Sequence, residues 1–415
     1  MFIFQVLVLV LQSLLFIQVG YLLVLVIAAW RAPRDRMLLP ATKPVRFAVL
    51  IPAHNEEHIL PATLTSLMDV DYPADRLDVY VIADNCTDDT AGIARSYDVE
   101  VLERSDTTWI GKGYALNWGF GNIRQAGKSY DAYVIVDADT VVSSTFFKII
   151  ADHLASGQQV IQAYYSVKNP TMSWNTSLRY AALVVLHYLR PLGRSSMGFS
   201  AGLKGNGMVF TQDVLEQHPW SGSITEDIEN HMALLLDGIR VHFAPKAIVL
   251  GEMPETFVQS RSQLDRWERG RIQMARKYLP RLWKAALRQP RQTFLYLDAM
   301  IEHLIPPFSL LFGLSFAVLV VAVTLFIAEV SSSLVLRGLS DINLLLSLFL
   351  VLGQVLYLLV GLGMVAAPSR VYLGLFYTPW FILLKLVQYI KMLYKHDSLA
   401  WVKTPRNELK RYIDS

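Results

Sequence analysis

Two acidic clusters carry most of the chemistry this chain can offer. Asp137 and Asp139 flank Ala138 directly after the apolar run 132–136. On an extended segment two carboxylates spaced this way point to opposite sides, unless the strand breaks there. At a strand end one can take a hard divalent cation while the other takes a sugar or ribose hydroxyl. The cation would neutralise the charge growing on a diphosphate leaving group. The plainer alternative is a solvated turn. The second cluster, Glu226 and Asp227 after Thr225, lies where the pattern starts a helix. Carboxylates there either favour the helix terminus or serve as a general base toward an acceptor hydroxyl.

Three further stretches bear polar groups at element ends. Residues 52–57 read PAHNEE, where Asn55 is expected to cap a helix and Glu56 and Glu57 to favour its dipole. Asp84 closes the run 79–83 and can accept hydrogen bonds from a base or ribose, with Asp88, Asp89 and Thr90 suited to the next helix start. Residues 261–291 hold ten Lys or Arg against Asp265 and Glu268, interleaved with apolar residues such as Trp267 and Trp283. That is the pattern of a basic amphipathic helix at a membrane surface. Arg266 and Trp267 stand near its beginning, where a cation can also meet a diphosphate.

The elements that must position these groups alternate. RFAVLIPA, LDVYVIAD, YDAYVIVDAD and RVHFAPKAIVL read as strands, while 58–69, 90–97 and 144–154 have helical spacing. The expected fold is α/β with a mostly parallel sheet, in which ligands bind beyond the carboxyl ends of the strands. The rest of the chain is apolar. No charged residue occurs in 1–30, 304–328 or 342–369. The expected organisation is a transmembrane helix over 1–30, a cytoplasmic α/β domain over 31–260, basic interfacial helices over 261–300 and two transmembrane helices over 301–369. Residues 370–415 then form a further helix, interfacial or transmembrane, and a cytoplasmic tail. Arg31, Arg34, Arg36, Lys43 and Arg46 after the first helix place the domain inside by the positive-inside rule. Lys385, Lys391 and Lys395 make the last helix interfacial, with lysines snorkelling toward headgroups.

Bulk properties exclude other classes. A chain that is 53% hydrophobic with mean hydropathy +0.34 is not a soluble protein. A net charge of +3 argues against nucleic-acid binding. The single cysteine, Cys86, cannot form an internal disulfide, which suits a reducing compartment.

In order along 45–270, PAHNEE, Asp84, GKGYALNWG, DAD, KGNGMVF, TED and QLDRW resemble the membrane-embedded processive glycosyltransferases of family 2, the group of the cellulose, hyaluronan and poly-N-acetylglucosamine synthases. The terminal WVKTPR resembles a motif of the same group. The resemblance implies a nucleotide-sugar-binding domain of GT-A type. Ala53, Asn55 and Glu56 would line the nucleotide pocket, Asp84 would contact uracil, and Lys112 would lie near the uridine or its phosphates. Asp137 and Asp139 would hold Mg²⁺ or Mn²⁺ against the diphosphate. Asp227 would be the catalytic base. Gln263 and Arg266 would sit over the pyrophosphate, with Trp267, Glu226 and Asn206 on the acceptor side. Cys86 departs from the small residue usual after the second strand, and the membrane portion is small. The expected activity is inverting transfer from a UDP-sugar to a β-linked polysaccharide at the plasma membrane, with membrane lipids and an export partner as associates. The alternative is transfer to a membrane lipid of the ceramide or diacylglycerol glucosyltransferase kind.

Overall fold

A computed structural model describes residues 2–32, 38–328 and 333–394. Strands β1 (Phe47–Ala53), β2 (Leu77–Asp84), β3 (Glu100–Arg104), β4 (Ala132–Ile135), β5 (Thr140–Val142), β6 (Val160–Val167), β7 (Met208–Thr211) and β8 (Val241–Gly251) form one sheet. Their order is β3-β2-β1-β4-β7-β6-β8-β5. Four of the seven pairings are parallel, so the expected mostly parallel sheet is present. Of the three exceptions, β5 pairs antiparallel with β8, and β7 runs antiparallel to both β4 and β6.

The central strands are apolar throughout because both faces are covered. Along β1, Phe47, Val49, Ile51 and Ala53 enter one core while Ala48 and Leu50 enter the other. Helices Leu60–Met68 and Phe146–Ala155 pack on the first face, and helix Lys112–Gln125 packs on the second. Parallel register then brings the carboxyl ends of β1, β2 and β4 side by side, with Ala53 opposite Ala83 and Leu50 opposite Ile135.

Among the described residues four helices are long and apolar enough to cross a membrane: Phe2–Trp30, Phe308–Ala328, Leu334–Met364 and the segment Ser369–Lys391. The first and third are joined by amides. Gln12 donates to the carbonyl of Asn343 and to Ser347 Oγ, both at 2.7 Å, and Gln5 donates to Ser340 Oγ at 2.8 Å. Inside a membrane such pairs fix one register between helices. The domain is tied to this bundle by buried ions. Arg194 donates twice to Asp298 Oδ2, which shares its carboxylate with Tyr21 of the first helix. Arg190 bonds Tyr357 of the third at 2.9 Å.

The last helix differs from the snorkelling expectation. Thr378–Tyr394 turns Lys385 and Gln388 inward, where both side chains are buried against helix Phe257–Arg288. Gln388 donates to Asp265, Lys385 lies 3.8 Å from Glu268, and Tyr389 donates to the same carboxylate at 3.2 Å. Arg34, Arg36, Lys395 and the WVKTPR segment lie outside the described residues.

Candidate active site

A cleft of about 810 Å³ opens at the strand ends and runs toward Phe308, where the second apolar helix begins. β4 stops at Ile135, and the backbone turns as the Thr140 N–H reaches the carbonyl of Asp137 at 3.2 Å. This break lets Asp137 and Asp139 both face the cleft instead of opposite sides of a strand. The antiparallel β7 brings in the loop before it. Lys112, at the start of helix Lys112–Gln125, donates to Asp137 and to the carbonyl of Gly205. Burial opposes its charge, yet Asp137 and Glu226 outweigh burial and hold the ammonium above its usual range. Gly207 is required here: φ is +64°, and a Cβ would lie 2.8 Å from Val249.

Asp84 is buried at the end of β2, where it accepts from Arg104 Nη1 at 2.6 Å. Burial raises its carboxyl above the usual range, against the pull of Arg104. His54 Nδ1 lies 2.7 Å from the Asp84 carbonyl and joins the β1 and β2 ends. Glu226 and Asp227 begin helix Glu226–Leu236 and line the middle of the cleft. Burial raises both carboxyls, Glu226 to about 7, although Lys112 pulls each down. The Ile228 N–H donates to Asp227 Oδ1 at 2.8 Å and orients it. Helix Phe257–Arg288 places Gln263, Arg266 and Trp267 on the opposite wall. Burial lowers the Arg266 guanidinium, and Glu226 opposes that shift.

The cleft thus gathers Ala53, Glu56, Asp84, Lys112, Asp137, Asp139, Glu226, Asp227, Gln263, Arg266 and Trp267 from distant parts of the chain. Two expected residues take other roles. Asn206 is wholly buried, with its amide engaged by the Asp137 N–H at 3.2 Å and Thr140 Oγ1 at 2.7 Å. It braces the acidic turn and does not reach an acceptor. Asn55 caps no helix, since the next one starts at Leu60. At φ +57° it accepts from the Thr87 N–H at 2.7 Å and stitches the β1 and β2 loops together beside a separate depression.

Several contributors carried no sequence signal. Arg104 reaches Asp84 from the neighbouring strand. Arg179 is buried, donates to Gln263 and lies 5.5 Å over the Trp267 ring. Lys204 lines the inner cleft, and only its place in KGNGMVF hinted at it.

Among the described residues no group of three or more His, Cys, Asp or Glu is arranged to hold a metal. Asp137 and Asp139 nevertheless supply hard oxygen donors on one turn. That donor set suits Mg²⁺ or Mn²⁺ when substrate phosphates and water complete the shell.

Residues 44–270 match the model of the glycosyltransferase-like family 2. The chain is 26% identical over 249 residues to the probable glycosyltransferase YdaM of Bacillus subtilis, covering 58% of each chain. It is 24% identical over 270 residues to a beta-monoglucosyldiacylglycerol synthase of Synechocystis, covering 62% of this chain and 54% of that one. The chain therefore spans little more than half the length of these curated relatives. A mannosyltransferase of Pyrobaculum calidifontis, solved with GDP-mannose and Mn²⁺, superposes with a TM-score of 0.54 at 18% identity, covering 86% of this chain and 97% of that one. This likeness concerns the fold.

Proposed function

We propose, from the premise that this chain belongs to the glycosyltransferase-like family 2 and folds its catalytic domain as a GT-A unit, that it moves a hexose from a UDP-sugar to a membrane lipid by inversion. The observation that carries the lipid reading is the course of the cleft. It leaves the acidic turn, passes Asp227 and ends among Leu183, Leu186, Ile305, Pro307 and Phe308, beside a membrane-length helix. The Arg194–Asp298–Tyr21 and Arg190–Tyr357 contacts join this end of the cleft to the first and third apolar helices, which suits an acceptor held in the membrane. The relatives named beta-monoglucosyldiacylglycerol synthases, whose product is a singly glycosylated lipid, agree with this reading.

Each residue has a separable task. The β1 and β2 ends, with Ala53, Glu56 and Asp84, receive the nucleoside. Lys112 and Arg266 bring positive charge to the diphosphate as it departs. A divalent ion held by Asp137 and Asp139 would neutralise diphosphate charge. Asp227 accepts the proton of the acceptor hydroxyl as its oxygen bonds to the anomeric carbon and the bond to the diphosphate oxygen breaks. UDP leaves, and one displacement gives a β-linkage from an α-linked donor. Trp267 offers an apolar ring for a sugar face. Its exposure of 36% also suits a sliding glycan, which keeps a polysaccharide product as the second reading. The domain is assigned to the cytoplasmic side of a multi-pass membrane protein, since Arg31 and Arg46 follow the first helix.

Purified protein in lipid, offered a panel of UDP-sugars, is expected to yield a singly glycosylated lipid by mass. A ladder of many sugars would replace the lipid reading with the polymer one.

A further inference from the structure

Lys204 occupies the inner half of the cleft, between the proposed base and the apolar end. Its backbone N–H is held by Gln162 at 2.8 Å, and Gly205 beside it has φ +79°. Among the described residues no acceptor lies within hydrogen-bond reach of its Nζ. The groups around it leave its charge in surplus. Arg190 pairs with Glu302 at 3.3 Å, and Arg194 with Asp298 at 2.6 Å. His231 and His303 are held below their usual range by burial, so neither adds charge near neutral pH. Three cations therefore face two carboxylates, and the remaining anion in reach is Asp227 across the cleft. Burial pushes the Lys204 ammonium down to about 8, with Arg194 and Arg190 acting in the same direction and Glu302 against it. A partly dehydrated cation of this kind gains most from an incoming anion.

Resting on the glycosyl-transfer reading above, we propose that Lys204 binds an anionic group of the acceptor, so that the acceptor is a lipid whose headgroup carries a phosphate or carboxylate close to the hydroxyl that is glycosylated. The geometry fits in sequence: Asp227 for the hydroxyl, Lys204 for the anion, and Leu183, Leu186, Pro307 and Phe308 for the start of the tails. Lysine suits the task as a compact point charge on a flexible stem. A neutral lipid would leave this cation with only Asp227 facing it across the cleft.

Binding is the readout, because Lys204 also faces Asp227 and its loss would alter turnover by a second route. The full chain in phosphatidylcholine nanodiscs would be titrated with dioctanoyl phosphatidylglycerol, dioctanoylglycerol and sn-glycerol 1-phosphate, following tryptophan fluorescence. The expected result is tighter binding of the anionic lipid than of either other probe. Lys204→Met should weaken that binding roughly 10- to 100-fold, the worth of a charge-assisted hydrogen bond. Lys204→Arg should restore most of it, and binding of dioctanoylglycerol should stay unchanged. UDP affinity, read at the other end of the cleft, checks that each variant is folded. Equal binding of the neutral and anionic lipids, or unchanged anionic binding in Lys204→Met, would overturn the inference. Binding of sn-glycerol 1-phosphate as tight as that of the lipid would overturn its lipid source. Charge-dependent binding without sugar transfer from any donor would instead uphold the subsite and sink the glycosyltransferase reading.

Discussion

The carboxyls of Glu226 and Asp227 share one helical turn, and burial holds both above the ordinary range, Glu226 at about 7. A raised carboxyl binds its proton more readily in the folded chain, so ionising it costs stability as pH rises from the unfolded value through about 7. For activity the sign is reversed, because a base must be ionised. The acid limb of kcat/KM is expected above the ordinary carboxylate range, because burial raises the Asp227 carboxyl; a limb at about 4 would show that the base titrates as a solvated carboxylate. Asp227→Asn should lower kcat by about 10²–10⁴-fold, the usual worth of a general base. UDP affinity should be nearly unchanged by calorimetry; its collapse would make Asp227 a donor-site residue. Asp139→Asn should weaken UDP binding and its dependence on Mg²⁺ or Mn²⁺ together. Full activity of that variant in EDTA would remove the metal assignment.

Among the elements, helix Phe257–Arg288 presents Gln263, Arg266 and Trp267 to the cleft and is gripped from two other elements. Arg179 holds Gln263 and covers Trp267 from one side. Lys385, Gln388 and Tyr389 of the last helix hold Asp265 and Glu268 from the other. These contacts suit positioning residues that act through the wall they orient. Lys385→Met combined with Tyr389→Phe should lower kcat several-fold and leave the KM for UDP-sugar little changed, because the donor is held mainly by the strand ends. A purely structural role would instead lower Tm with kcat per folded molecule intact.

At the scale of the whole molecule, the ion network of Arg194, Asp298 and Tyr21 makes the catalytic domain and the first apolar helix one packed body. The inward contacts of Lys385, Gln388 and Tyr389 keep the last helix against the domain, on the side assigned to the cytoplasm. A reporter fused after Ser415 is therefore expected to be cytoplasmic. A reporter active only outside would make Ser369–Lys391 a true crossing and reverse the assignment.

The amino-acid sequence by itself determined the apolar spans, the α/β alternation and the acidic groups at strand ends. Those signals are local: charge-free runs, short apolar runs alternating with helical spacing, and carboxylates placed where an apolar run stops. It also determined that Asp84, Asp137, Asp139, Asp227 and Arg266 belong to one ordered motif set. Only the tertiary structure decided what surrounds them. The antiparallel β7 carries Gly205 and Lys204 to the acidic turn, and no local pattern encodes which way a strand enters a sheet. The resemblance put Asn55 and Asn206 in the site, yet the Asn55 carbonyl oxygen accepts from the Thr87 N–H, and the Asn206 amide is engaged by the Asp137 N–H and the Thr140 hydroxyl, all remote in sequence. Lys385 read as a snorkelling lysine because its helix is apolar; its carboxylate partner lies 117 residues earlier in the chain, at Glu268. The physical reason is common to all three. A side chain's type sets what it can bond, whereas burial and long-range pairing set which bonds remain open to a substrate.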